Sequence, residues 1–122
     1  MKFDVRIESE DLKGALKTYI RRRLHFTLGR FGAKLGRVRV RVEDIPGAGD
    51  SLDTSCRIQA ELLPAGRILR QEAVDRNLYI AVDLATERIG RSFERSLVSA
   101  RAVSSAPRET SIGSYSRKEA LP

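Results

Sequence analysis

Tryptophan is absent from this 122-residue chain, and cysteine, histidine and methionine occur once each. One cysteine cannot form an internal disulfide, and Cys56 with His25 alone cannot supply a four-ligand zinc site. No metal and no cofactor are expected. No apolar run approaches the roughly 20 residues that span a bilayer, and the start, MKFD, lacks the apolar stretch of a signal peptide. A cytoplasmic protein with no membrane partner is the expectation. Nucleotide-binding glycine loops and the G-x-S-x-G nucleophile motif are also missing. His25 falls on the polar side of a helical stretch, and Cys56 falls on the apolar side of a strand, where it behaves as a small hydrophobe. The raw material for acid, base or nucleophilic chemistry is thin, so neither an enzyme nor a small-molecule substrate is expected.

What the chain has in plenty is positive charge. It carries 23 Lys and Arg against 16 Asp and Glu, a formal net charge of +7. Residues 1–44 hold 12 basic and 6 acidic side chains, and the remainder hold 11 and 10. Such an excess favours polyanionic partners, although a solvated basic surface would also serve solubility.

Hydrophobic periodicity divides the chain into six elements. Residues 2–8 alternate, with Phe3, Val5 and Ile7 on one side, and read as a strand. Asp11 is a plausible N-cap for a helix in which Leu12, Leu16, Tyr19, Ile20, Leu24, Leu28 and Phe31 recur at three- and four-residue steps, ending at Gly29 and Gly32. Residues 37–44 form a second strand, with Val38, Val40 and Val42 opposite Arg37, Arg39 and Arg41. The segment 45–53 reads as a hairpin loop, 54–62 as strand three, 64–66 as a turn and 67–74 as strand four. A second helix is predicted from Asp75 or Arg76 to about Ala100, with Leu78, Val82, Ala85, Ile89 and Phe93 inside an arc of about 80°. Residues 1–102 are expected to form one domain and 103–122 a flexible tail. The order β-α-β-β-β-α predicts an α+β fold with both helices on one face of a four-stranded, mostly antiparallel sheet.

On the second helix Arg88, Arg91 and Arg95 cluster within about 60°, forming a stripe of guanidinium groups suited to phosphate oxygens. Asp83, Glu87 and Glu94 take a separate sector, from which helix salt bridges to Arg91 and Arg95 are the plainer use. On the first helix Arg23 lies at the edge of the apolar stripe and Arg30 in nearly the same column, while Arg21 and Arg22 project from the polar side. The Arg37, Arg39, Arg41 ladder makes a second basic surface on the other side of the sheet.

The stretches LKTYIRRRL over 16–24, with Phe31, and NLYIAVD over 77–83, with RIGRSFER over 88–95, resemble the bacterial ribosome hibernation-promoting factor and ribosome-associated inhibitor A family in its short form. The resemblance spans about residues 1–97. It implies a fold like a double-stranded-RNA-binding domain that lodges in the decoding region of the small ribosomal subunit and blocks tRNA and mRNA. It places rRNA contacts at Arg23, Arg88, Arg91 and Arg95, to which their neighbours Arg22 and Arg30 are added as candidates. Asn77, Phe26 and Gln71 depart from the family pattern, as do Leu97 and Val98 where a basic run is usual. The tail is not an acidic extension. Ile80, Leu84, Leu97 and Val98 beside the arginine stripe define the alternative, a protein-interaction or self-association module.

Overall fold

Strand alternation decides which side of the sheet is covered. In the computed structural model, which describes residues 2–8 and 13–105, the strands are β1 (Lys2–Ile7), β2 (Leu35–Pro46), β3 (Leu52–Leu62) and β4 (Arg67–Asp75), and they form one sheet in the order β1-β2-β3-β4. The helices are α1 (Lys13–Leu28), continued by a 3-10 segment (Gly29–Lys34), and α2 (Leu78–Ser105). The expected order and the one-sided α+β layering are both present. β1 pairs with β2 in parallel, as the α1 crossover requires, and the other two pairings are antiparallel.

Val5, Val38, Val40, Val42, Cys56, Ile58, Ala60, Leu69 and Ala73 face the core from the sheet. Leu16, Ile20, Leu24 and Leu28 face it from α1, and Ala81, Val82, Ala85, Ile89 and Phe93 from α2. Phe93 is fully buried, with its ring centroid 4.6 Å from that of Phe31. Truncating such a side chain to alanine costs about 3–5 kcal/mol. Cys56 is fully buried, and desolvation pushes its thiol up to about 12. It is thus a packed core residue with no thiolate chemistry at neutral pH.

Several boundaries differ from the sequence expectation. The β2–β3 ladder continues through Ile45↔Asp53 and Pro46↔Leu52, so the loop shrinks from 45–53 to residues 47–51. It is closed by Gly47 N–H donating to Ser51 C=O (2.9 Å) and by the Ser51 hydroxyl donating to Ala48 C=O (2.6 Å). β2 also starts earlier, at Leu35, with a register shift between Leu35 and Val38 where Arg37 N–H donates to Glu61 Oε1 (3.1 Å). The β3–β4 turn contains a cis Leu63–Pro64 bond and Gly66 at φ 79°, a conformation natural to glycine.

α2 begins at Leu78, later than the expected Asp75 or Arg76, because Asn77 caps it. The Asn77 side-chain oxygen accepts from the N–H groups of Tyr79 (2.8 Å) and Ile80 (3.2 Å), and Asp75 accepts from Asn77 N–H (2.8 Å). Two of the helix's unsatisfied donors thereby gain partners. At the other end α2 runs to Ser105, past the expected stop near Ala100 and into the segment expected as tail. The Asp11 cap and residues 106–122 lie outside the described residues. No helix among the described residues is long and apolar enough to cross a membrane.

Asn77→Ala is expected to cost about 1 kcal/mol of stability, whereas Asn77→Asp should retain it, since aspartate caps as well and its charge suits the helix N-terminus. Urea unfolding of the two variants beside the wild type measures both.

Candidate nucleic-acid interface

Burying two amphipathic helices on one sheet face forces them side by side. Tyr19 meets Tyr79 edge to face, with ring centroids 4.9 Å apart, and Arg23 meets Asp83. Thr27 meets Gly90 and Phe31 meets Phe93. The positions rise together along both helices, so α1 and α2 run in the same direction. Gly90 sets how closely they approach: a Cβ there would stand 2.7 Å from Thr27 Cγ2, which no ordinary contact tolerates.

The charges of the two helices are unlike. From 13 to 34 the chain has Lys or Arg at 13, 17, 21, 22, 23, 30 and 34 and no acidic residue at all. Among the described residues, the carboxylates that pair with this segment, Asp83 and Glu94, come from α2. Asp83 Oδ1 accepts from the Tyr19 hydroxyl at 2.5 Å and lies 3.1 Å from Arg23 Nε. The Nε–H is sheltered from solvent yet not aimed well enough at the carboxylate to form a hydrogen bond, so this contact is an ion pair more than a fork. Glu94 pairs with Arg30 at 3.6 Å, and the Arg30 guanidinium also lies 4.7 Å from the centroid of the Phe31 ring. The acidic sector of α2 is thus the side that faces α1.

The candidate arginines consequently separate into four groups. Arg23 and Arg30 are engaged across the seam. Arg88 turns to the edge of the sheet, where its Nη1 donates to Glu72 C=O at 2.7 Å. Arg91 is exposed, and its one ionic partner among the described residues is Glu87 one turn before it, at 2.9 Å. Arg22 and Arg95 are exposed and have no ionic partner among the described residues. Of the helix salt bridges expected from the sequence, Glu87–Arg91 forms, whereas Glu94 goes to Arg30 and leaves Arg95 to solvent. Nothing in the α2 periodicity alone marks Arg88 as different from Arg91; only β4 beside it does.

The apolar neighbours of the stripe do not form one patch. Leu84 and Leu97 are partly buried and pack against the core, leaving Ile80 and Val98 exposed. Those two are 18 residues apart on one helix, about 27 Å at 1.5 Å per residue.

On the other side of the sheet carboxylates answer Arg41 of the arginine ladder and Arg57, its cross-strand neighbour. Arg41 bonds Glu8 at 2.6 Å, and Arg57 pairs with Glu72 at 3.3 Å and Glu43 at 3.6 Å. Glu72 also accepts from the Ser55 hydroxyl at 2.8 Å. That bond, with Arg57 beside it, holds the Glu72 carboxyl below its ordinary range despite partial burial. Arg37 and Arg39 stand over a shallow groove on this face, lined in part by Lys2, Gln59 and Ile68.

The family model for "Sigma 54 modulation protein / S30EA ribosomal protein" matches residues 4–97. The chain belongs to this family. Among solved structures it is similar to a ribosomal subunit interface protein from Coxiella burnetii. That match has a TM-score of 0.66 at 15% identity and covers 80% of this chain and 99% of that one. It is also similar to the N-terminal domain of Thermus thermophilus Protein Y, with a TM-score of 0.62 at 22% identity, covering 78% and 98%. At these identities the two structures bear on the fold, and they share its α+β layering. No curated protein matches the sequence significantly. The family match covers all of α1 and α2 as far as residue 97, including every candidate arginine.

The Tyr19–Asp83 bond carries a pH signature. The hydrogen bond to Asp83, then burial and the carboxylate's charge, raise the Tyr19 pKa above its ordinary 10.0, with Arg23 opposing. The neutral hydroxyl is thus favoured in the fold. Its stabilisation is complete below the unfolded value and is lost as pH rises through the raised folded one. Tyr19→Phe is expected to lower stability by about 1 kcal/mol near pH 8, and the gap to wild type should narrow at about pH 11. Urea unfolding at the two pH values checks it.

Proposed function

We propose that this protein is a ribosome hibernation factor that binds small-subunit rRNA in the decoding region through the outward side of its helix layer and blocks tRNA and mRNA there. The observation that carries the reading is a chain of the S30EA family whose helix layer presents Arg22 and Arg95 to solvent with no ionic partner among the described residues, beside a lightly held Arg91. A first helix without any carboxylate leaves those guanidiniums available to phosphate oxygens, which they grip through two N–H groups at a time. Arg23 and Arg30 contribute field more than direct contact, since reaching a phosphate requires sharing them with Asp83 and Glu94. Arg88 spends an Nη1–H on the Glu72 carbonyl at the sheet edge, which leaves it fewer N–H groups for a phosphate. Binding and steric exclusion suffice for this function, and no reaction is required.

The self-association reading is set aside because half of its apolar surface, Leu84 and Leu97, is already used by the core.

The protein should co-sediment with purified small subunits, with affinity falling as salt rises, because each neutralised phosphate releases counterions. Prior loading should reduce retention of tRNA and of an mRNA fragment. Arg22→Glu, Arg91→Glu and Arg95→Glu together should abolish sedimentation while leaving the unfolding midpoint near that of wild type, and each single Gln variant should lower the salt slope by about 1. Sedimentation that ignores salt, or that survives the triple reversal, refutes this surface as the site.

A further inference from the structure

We propose that Phe26 is a stacking platform for a single unstacked RNA base whose adjoining phosphate is held by Arg22; the proposal rests on the RNA-binding reading of the helix layer. Phe26 is 80% exposed, more than Leu52 at 61% or Val98 at 58%, although it lies in a well-formed helix that buries Leu24 and Leu28 completely. The ring pairs among the described residues join Tyr19 to Tyr79 and Phe31 to Phe93, and Phe26 takes part in neither. Burying a side chain of this kind is favourable, a gain the fold leaves unused.

What surrounds the ring selects its occupant. Residues three and four positions earlier on a helix flank a side chain on the same face, which puts Arg22 and Arg23 one turn away on either side. Arg23 is committed to Asp83, whereas Arg22 is exposed and has no ionic partner among the described residues. Sequence neighbours His25 and Thr27 are polar, and no other large hydrophobic of α1 is exposed. An apolar protein surface would meet one ring among charges. A nucleobase is of matching size, flat and apolar on its faces, and it arrives attached to the negative charge that Arg22 seeks. Aromatic rings bind bases in this way without regard to sequence, so the site favours unpaired residues in a loop or strand over a continuous duplex.

Because the chain has no tryptophan, Phe26→Trp installs a sole indole reporter at the site. Its emission should be quenched by small subunits and by a single-stranded RNA oligonucleotide of mixed sequence. Inorganic polyphosphate, which brings charge but no base, should leave it unquenched. Phe26→Ala should weaken subunit binding roughly tenfold with the salt slope unchanged, and Phe26→Tyr should bind as wild type. Wild-type affinity in Phe26→Ala overturns the proposal. So does rescue by Phe26→Leu as complete as by Phe26→Tyr, which would mark apolar docking on a protein, and so does equal quenching by polyphosphate. If the wild type does not sediment with small subunits at all, the ribosome-binding reading fails, and the oligonucleotide and polyphosphate arms still decide the role of Phe26.

Discussion

Only one face of the sheet is apolar, and every other feature follows from covering it with two helices. Val38, Val40 and Val42 on β2, and Cys56, Ile58 and Ala60 on β3, leave no second surface on which α1 or α2 could bury its stripe. The helices therefore lie together, and they run the same way. Gly90 lets them close to contact at Thr27, and Phe31 packs on Phe93 one turn beyond. Such a close seam brings the side chains at its rim within reach of one another across the helices.

That seam sorts the charges. A first helix with only cations lies against a second helix whose acidic sector points toward it, so Asp83 and Glu94 draw Arg23 and Arg30 inward. These pairs are partly exposed, and surface pairs of this kind contribute about 0–1 kcal/mol each. Their larger effect is on what remains outside. With those carboxylates occupied, the outward side of the layer presents Arg22, Arg91 and Arg95, where a polyanion meets little competing negative charge beyond Glu87.

The two faces of the molecule consequently differ in kind although both are rich in arginine. On the open sheet face the cross-strand register sets Arg57 opposite Glu72, and Arg41 lies within reach of Glu8, so these two are neutralised by their neighbours, while Arg37 and Arg39 have no ionic partner among the described residues. On the helix layer the neutralising groups sit in the seam. An aromatic ring left in water at Phe26 occurs only on the second of these faces, beside one of the uncommitted arginines.

The sequence by itself determined the order of elements, the single core face and the composition of both helices, because periods of two and of about 3.6 residues are local properties of the backbone. It also carried the family, since motifs such as NLYIAVD over 77–83 survive as a linear string. Boundaries were less legible where a contact across space sets them. The β2–β3 ladder extends through Ile45 and Pro46 because β3 is there to pair, although Pro46 reads as a loop residue. The start of α2 at Leu78 has a local cause instead, the Asn77 side chain accepting from its first N–H groups, a capping signal that the residue type itself carries. Arginines alike on a helical wheel were separated only by the tertiary structure. β4 takes Arg88, α2 takes Arg23 and Arg30, and Arg22 and Arg95 stay in solvent. Periodicity records the direction in which a side chain leaves its own helix, whereas availability to a ligand depends on what the neighbouring element places in that direction.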